Sequence, residues 1–210
     1  MPGPTAVIID YDAGNLRSVQ RACAEVGLKA EISADPDRVR QAERILFPGV
    51  GAAAPAMRSV QRSGMDEALR EVIAQGRPVL GICLGLQISL EHSEEGDTET
   101  LGLIPGRVRR FQFTDPALKV PHMGWNEVRP SASHPVLAGI EPGDEFYFVH
   151  AYYPEPAEQG VVLAHTTYEE EFACAMTVGS YVATQFHPEK SGRVGLRLIS
   201  NFANWSGDAQ

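Results

Sequence analysis

The pentapeptide Gly81-Ile82-Cys83-Leu84-Gly85 constrains the fold most, because it joins a short apolar run to a helix-like segment. The run over 78–82 has the length and bounds of a buried strand. Glycines two residues before and after Cys83 permit a sharp strand-to-helix turn whose central residue has a strained backbone. Cys83 is therefore the candidate nucleophile. The alternative is a buried cysteine that lies by chance near two of the 20 glycines.

The turn would set the Cys83 sulfur at the first turn of a helix, where free N–H groups and the helix dipole favour a thiolate. The other cysteines, Cys23 and Cys174, lie on apolar stripes that are typical of core packing. Three cysteines without a CxxC pair indicate neither a disulfide framework nor a zinc site.

Composition limits the partners and the setting of the chain. With 210 residues we expect one domain over 1–210, and no apolar run approaches the roughly 18 residues that cross a bilayer. The 27 acidic residues outnumber 18 basic ones, which disfavours nucleic acid and favours a small substrate. The apolar stretch 6–9 is short and follows no basic segment, so we expect a cytoplasmic protein.

Strands and helices alternate in the first half of the chain. Hydrophobic periodicity predicts strands over 6–10, 44–47 and 79–82, and helices over 15–26 and 65–75. This alternation predicts an α/β fold with a mostly parallel central sheet flanked by helices. Ligands of such sheets bind at the carboxyl ends of strands, where Cys83 is placed.

The second half reads as strands separated by turns, followed by a closing helix over 193–205. We expect it to make antiparallel strand additions to the sheet. The predicted strands are 107–113, 126–129, 145–150, 161–167, 172–178 and 181–186.

A cysteine nucleophile needs a base, and His187 has a carboxylate at a useful spacing. His187 follows the strand predicted over 181–186, and Pro188 keeps it extended, so Glu189 lies on the same side. Such a histidine can bond the carboxylate through one ring nitrogen and face sulfur with the other. The competing interpretation is an ordinary surface turn, but its coincidence with a cysteine elbow favours a Cys83-His187-Glu189 triad.

An acyl-enzyme also needs donors for an oxyanion. Pro48-Gly49-Val50-Gly51 follows a predicted strand, and its glycines let backbone N–H groups approach a ligand closely. The N–H of Leu84, directly after the nucleophile, is a second candidate donor. Alone, this loop would be an ordinary turn; beside the elbow it predicts an oxyanion site.

Taken together, these stretches resemble the class I, or triad-type, glutamine amidotransferases. Within that family the chain looks like the glutaminase subunits of imidazole glycerol phosphate synthases, over about residues 6–202. The elbow alone is typical of the wider superfamily, whereas 121–126 joined to 187–191 is specific to these subunits. The matching stretches are 10–16, 48–51, 81–87, 121–126 and 185–191.

The resemblance implies a flavodoxin-like fold and hydrolysis of glutamine to glutamate and ammonia, without a metal or other cofactor. It implies that Cys83 attacks the side-chain amide, that His187 moves the proton and that Glu189 orients His187. By the same match Gly51 and Gln87 contact the substrate. Glu95 is a candidate for binding the α-amino group, although Glu91 and Glu94 are nearby and such residues are often only solvated.

The resemblance also implies a protein partner, a cyclase subunit with a (β/α)₈ barrel that receives the ammonia in a heterodimer. Asn15, Met123, Trp125 and Lys190 match interface positions, although a tryptophan buried under a loop is the alternative for Trp125. Two departures fall at Asp12-Ala13, where relatives have a glycine-rich turn, and at Ala151, which is usually Ser or Thr.

Three rival functions remain open. Another amidotransferase of this class would share the triad, but residues 121–126 and 187–191 argue against it. A cysteine hydrolase such as a peptidase would need no ammonia-receiving partner, and Gln87 counts modestly against it. A non-catalytic homologue is disfavoured because Cys83, His187 and Glu189 are all present.

Overall fold

Strands and helices alternate through the first half of the chain, as predicted, in a computed structural model that describes residues 3–12 and 14–208. The helices are α1 Leu16–Glu25, α2 Pro36–Gln41, α3 Ala53–Ser63, α4 Met65–Ala74, α5 Leu84–Gln87 and α6 Gly192–Asn204. The strands are β1 Thr5–Ile9, β2 Lys29–Ser33, β3 Ile45–Gly49, β4 Val79–Cys83, β5 His92–Ser93, β6 Thr98–Glu99, β7 Gly106–Arg110, β8 His122–Glu127, β9 Arg129–Pro130, β10 Glu145–His150, β11 Tyr152–Pro156, β12 Val162–Tyr168, β13 Glu170–Val178 and β14 Tyr181–Thr184.

The central sheet has the strand order β2-β1-β3-β4-β14-β13-β12-β9. Its first five strands pair in parallel, and the remaining pairs are antiparallel, which confirms the predicted fold class. Strands β2, β5, β6 and β11 and helices α2 and α3 were not predicted. Strand β2 gave no signal because it is only partly buried and lacks an apolar run.

Two predicted strands of the second half differ in the structure. The strand expected over 126–129 is divided into β8 and β9, because β8 pairs with β10 whereas β9 pairs with β12 of the central sheet. Strand β8 pairs with β10 in a separate two-stranded sheet. The strand expected over 107–113 ends at Arg110 and belongs to a small sheet with β5, β6 and β11. The second half therefore adds two sheets besides extending the first.

Helices cover both faces of the central sheet. One core cluster joins the sheet to residues of α1 and α6, including Val19 and Phe202, and the other joins it to residues of α3 and α4, including Val60 and Val72. Cys23 and Cys174 are fully buried in the first cluster, as predicted. Within the ranges that the structure describes, no helix has the length and apolar character to span a bilayer.

The pairing of β3, β4 and β14 brings distant parts of the sequence to one sheet edge. Gly49 of β3 pairs with Cys83 of β4, and Thr184 of β14 pairs with Ile82. These strands are parallel, so the loop after β3, the elbow after β4 and the segment after β14 emerge side by side.

Gly85→Ala is expected to destabilise the fold by about 1–3 kcal/mol, because overpacking a core displaces backbone. A Cβ at Gly85 would lie 1.9 Å from the carbonyl oxygen of Phe47. Urea unfolding monitored by circular dichroism measures the change. Gly160→Ala is the matched control, since a Cβ there meets nothing within 4 Å. Equal stability of the two variants would show that the close approach at Gly85 is relieved at no cost.

Candidate active site

Cys83 occupies the sharp turn that the sequence predicts between β4 and α5. Its φ of 55° and ψ of −103° lie in a region that L residues rarely adopt. A Cβ at Gly81 would come within 2.2 Å of the Tyr181 hydroxyl, and Gly85 abuts Phe47. Both flanking glycines are therefore required by close packing, as the elbow motif predicts.

The helix that follows Cys83 is short. Helix α5 has four residues, so the expected contribution of a helix dipole at Cys83 is small. The N–H groups at its start still lack partners within the helix. Leu84 is the first helical residue, and its N–H stays the predicted second oxyanion donor.

His187 and Glu189 form a buried pair three residues beyond the end of β14. Nδ1 of His187 lies 2.8 Å from Oε1 of Glu189, and both side chains are almost wholly buried. Nε2 of His187 is also buried and meets no partner at hydrogen-bonding geometry. It is the free nitrogen that the predicted triad assigns to sulfur.

Cys83 and Glu189 both act on the ionisation of His187. Burial lowers the pKa of His187, but interactions with Cys83 and then with Glu189 outweigh it and raise the pKa to about 10. A histidine with a raised pKa can keep a proton taken from the sulfur.

Asn15 has a role at this site that the sequence did not reveal. Its side-chain amide donates a short hydrogen bond to Oε1 of Glu189, the same oxygen that contacts His187. The other carboxylate oxygen of Glu189 is buried without a partner. Asn15 has a φ of 63°, in the left-handed region, immediately before α1. It was predicted only as an interface residue, because the 174-residue separation from Glu189 hides the contact.

The backbone around His187 is tied to strand β10. The N–H of His187 donates to the carbonyl of Tyr147 at 2.9 Å. The hydroxyl of Ser191 donates to the carbonyl of His187 at 2.6 Å and accepts from the N–H of Tyr147 at 3.0 Å. Ser191 was noted in the sequence only as part of the motif after His187, whereas Tyr147 carried no signal.

The predicted oxyanion loop lies next to the elbow, but it starts later than expected. Pro48 and Gly49 still belong to β3, and Gly49 packs so closely on Tyr11 that a Cβ would meet its hydroxyl at 2.0 Å. Val50 is 39% exposed, and Gly51 has a φ of 106°, which requires glycine. Only Val50 and Gly51 thus form a loop beyond the strand.

Gln87 and Glu95 are held by specific hydrogen bonds. The Gln87 amide nitrogen donates to the carbonyl of Tyr152 at 2.9 Å. The carboxylate of Glu95 accepts from the N–H of Ala53 at 2.8 Å, directly after the oxyanion loop. Glu95 is therefore not merely solvated, and it lies beside the loop that ends at Gly51. Its neighbour Glu94 instead pairs with Arg109 at 2.8 Å.

An exposed patch borders the His187 segment. Met123 and Trp125 of β8 are 62% and 55% exposed, so Trp125 is not buried under a loop. The Trp125 ring contacts Tyr147 at 6.2 Å between centroids, and the Lys190 ammonium lies 5.6 Å from the Tyr147 ring centre. The four residues Met123, Trp125, Tyr147 and Lys190 are called the β8 patch below.

The structure describes one residue of each sequence departure, Asp12 and Ala151. Asp12 has a φ of 66°, a left-handed conformation that favours glycine and that aspartate tolerates better than most residues. The prediction about Ala13 falls outside the described residues. The carbonyl of Ala151 accepts from the N–H of Phe111 at 3.1 Å, a bond that needs no hydroxyl side chain.

A large groove elsewhere is unrelated to this constellation. It has a volume of about 990 Å³ and lies by the amino ends of β1 and β2, opposite the elbow. None of the candidate site residues lines it. Among residues 3–12 and 14–208, no three His, Cys, Asp or Glu side chains are grouped in a way that could hold a metal ion.

Comparison with known proteins agrees with this geometry. The model of the family "Glutamine amidotransferase class-I" matches residues 7–204. A Chromobacterium violaceum protein named imidazole glycerol phosphate synthase subunit HisH is 48% identical, over 96% of this chain and 98% of its own. Proteins of the same name from Nitratidesulfovibrio vulgaris and Neisseria gonorrhoeae are 50% and 44% identical, over 96% and 94% of this chain and 97% and 98% of theirs.

Solved structures share the fold at low sequence identity. A crystal structure of a glutamine amidotransferase has a TM-score of 0.74 at 18% identity and covers 95% of this chain and 99% of its own. The structure of PurLQS from Thermotoga maritima has a TM-score of 0.76 at 16% identity, with 96% and 98% covered. The family match spans nearly the whole chain, and this chain belongs to the class-I glutamine amidotransferase family.

Proposed function

We propose that this chain is the glutaminase subunit of an imidazole glycerol phosphate synthase, acting in histidine biosynthesis in the cytoplasm. The observation that carries the chemistry is the buried His187–Glu189 pair at the sheet edge where Cys83 emerges. The choice among amidotransferases is supported by relatives named HisH that align along almost the whole chain. One domain over residues 1–210 would carry the activity.

In the first half of the reaction, the proton of Cys83 passes to His187 and the sulfur attacks the side-chain carbonyl carbon of glutamine. The carbonyl oxygen becomes an oxyanion, and backbone N–H groups of Leu84 and of the Val50-Gly51 loop are the candidate donors to it. His187 then protonates the amide nitrogen. The C–N bond breaks, ammonia leaves, and a γ-glutamyl thioester remains on Cys83.

In the second half, His187 takes a proton from water, and the hydroxide adds to the thioester carbonyl. Collapse of that intermediate breaks the C–S bond, releases glutamate and returns the proton to the sulfur. Glu189, fixed by Asn15, keeps His187 oriented and stabilises its charged form through both halves. Glu95 beside Ala53 is proposed to bind the α-amino group, and Gln87 to contact the substrate.

We propose a cyclase subunit with a (β/α)₈ barrel as the partner that receives the ammonia. The β8 patch supports this, because exposed Met and Trp side chains are typical anchors of protein interfaces. The patch shares Tyr147 with the backbone bonds that hold His187, so a partner there would lie next to the triad. Cys83 is only 6% exposed, which supports low glutaminase activity until the partner binds.

Cys83→Ala is expected to abolish glutamate release and glutamine-dependent synthesis by the complex, because no other group can form the thioester. Synthesis from free ammonium at high pH should persist, since the partner receives ammonia from either source. Both are measured with the cyclase subunit present. Cys174→Ala, which removes a buried thiol outside the site, should retain glutaminase activity. Loss of the ammonium-supported reaction in Cys83→Ala would refute the division of labour.

Asn15→Asp is expected to lower kcat for glutamine about 10- to 100-fold, because it removes a charge-assisted hydrogen bond and faces Glu189 with a second carboxylate. Asn15→Gly is the matched variant, since it tolerates the positive φ and removes the donor without adding charge; a smaller decrease is expected. Both are assayed at saturating partner, with the partner Kd measured separately. If kcat at saturating partner equals that of the unmodified chain and only the Kd of the partner is raised, Asn15 acts only at the interface.

Trp125→Ala is expected to weaken binding of the cyclase subunit at least tenfold, because it removes an exposed aromatic anchor. Isothermal titration calorimetry with the cyclase subunit gives the Kd. Cys83→Ala serves as the control that should bind with unchanged affinity. If Trp125→Ala binds as tightly as the unmodified chain, the β8 patch is not the docking surface.

A further inference from the structure

Gln185 contacts the nucleophile and has no role in the chemistry described so far. Its side chain is fully buried between the end of β14 and His187. Its amide nitrogen lies 3.7 Å from the sulfur of Cys83, within hydrogen-bonding distance for a sulfur acceptor. The charge that develops on this sulfur is shielded from water, because Cys83 is itself buried.

The orientation of the Gln185 amide is fixed by Gln87. The Gln87 amide nitrogen donates both to the carbonyl of Tyr152, at 2.9 Å, and to Oε1 of Gln185, at 3.1 Å. A backbone carbonyl can only accept, so it determines which end of the Gln87 amide faces it. Gln185 must then accept through its oxygen, and its nitrogen is left to face the sulfur.

The Tyr152 carbonyl is in turn held by buried His150, which is itself bonded to buried His122. Nδ1 of His150 donates to it at 2.8 Å, and Nδ1 of His122 donates to Nε2 of His150 at 3.1 Å. The Asn126 amide nitrogen lies 3.3 Å from Nε2 of His122 and completes the series. Because the carbonyl can only accept, each hydrogen bond from Asn126 through His122 and His150 has its donor on the side of Asn126.

Neutral imidazoles are required for this series, since each ring must donate once and accept once. Burial lowers the pKa of His122 to about 4. Burial lowers the pKa of His150 to about 3, against a small opposing effect of the Tyr152 carbonyl. Both rings are therefore neutral near pH 7, and the direction of donation is preserved.

We propose that Gln185 is a catalytic residue that donates a hydrogen bond to the Cys83 thiolate. Gln87 is the positioning residue that fixes the orientation of its amide, while His150, His122 and Asn126 hold the Tyr152 carbonyl to which Gln87 is bonded. This inference rests on the proposed function in taking Cys83 as the nucleophile. The series starts on β8, the strand that carries Met123 and Trp125, and ends on the reacting sulfur. It therefore connects strand β8, through His122 and Asn126, to the nucleophile.

The test is alkylation of Cys83 by iodoacetamide, followed by mass spectrometry of the Cys83 peptide across pH. In this reaction the thiolate displaces iodide and forms a C–S bond, with neither glutamine nor a partner required. The variant is Gln185→Met, which has nearly the same length and no amide donor. Unmodified chain, Gln185→Met and Thr166→Val are compared, since Thr166 is a buried β12 residue outside the series.

Relative to the unmodified chain, Gln185→Met is expected to alkylate more slowly at low pH and faster at high pH. Losing a hydrogen bond to a charged group moves the pH–rate profile upward by about one pH unit, a roughly tenfold loss of thiolate at a given pH on the rising limb. The less stabilised thiolate is about threefold more reactive, because reactivity follows basicity with a slope of about 0.4–0.5. The rate should therefore fall about threefold on the rising limb and rise about threefold on the plateau.

If Gln185→Met only made Cys83 more accessible, the alkylation rate would rise at every pH. Such a profile, or a profile equal to that of the unmodified chain, would overturn the proposal. Thr166→Val should reproduce the unmodified profile. If Gln185→Met does not fold by circular dichroism, Gln87→Met supplies the test, because it keeps Gln185 but removes its orienting contact. A shift of the same sign and smaller size supports the proposal, and no shift refutes it.

The proposed glutaminase reaction can fail independently of this result. If alkylation shows the crossing profile while glutamate is never released with the cyclase subunit present, the thiolate donor stands and the proposed function falls. If glutamate is released but Gln185→Met alkylates like the unmodified chain, the function stands and the inference falls. In the active complex Gln185→Met should lower kcat with little change in KM, because Gln185 contacts sulfur rather than substrate.

Discussion

The left-handed backbone of Cys83 is the constraint on which the rest of the site depends. A non-glycine residue in such a conformation costs about 1–3 kcal/mol, so the surrounding structure must enforce it. Tyr181 does much of this, because its buried hydroxyl donates to the carbonyl of Gly85 at 2.9 Å and fills the space that Gly81 leaves open. Burial raises the pKa of Tyr181, which keeps the hydroxyl protonated and able to donate.

Strand order then determines which groups meet the sulfur. Because β4 lies between β3 and β14, the elbow has the oxyanion loop on one side and the His187 segment on the other. Helix α1 adds a third contribution through Asn15, which meets Glu189 behind the histidine. The chemistry is thus assembled from four segments far apart in sequence, each placed by a parallel strand or by the start of a helix.

The sequence predicted local features well and long-range contacts poorly. The elbow, the His187–Glu189 spacing and the parallel half of the sheet were recoverable, because they depend on glycine placement and periodicity over a few residues. The division of 126–129 between β8 and β9 was missed, since it depends on pairing with two strands, β10 and β12, that are distant in sequence. The contact of Asn15 with Glu189 was hidden for the same reason, as was the position of Gln185 against the sulfur.

The two sides of Cys83 differ in how tightly the backbone is packed. On the β4 side, Gly85 is wedged against Phe47 and the elbow cannot shift without displacing core backbone. On the β3 side, Gly49 is fixed against Tyr11, but Val50 is exposed and a Cβ on Gly51 would meet nothing within 4 Å. Val50 and Gly51 are therefore less constrained by packing than the elbow is. Val50 is exposed and Cys83 is buried, so the peptide between Val50 and Gly51 can adjust while the nucleophile stays in place.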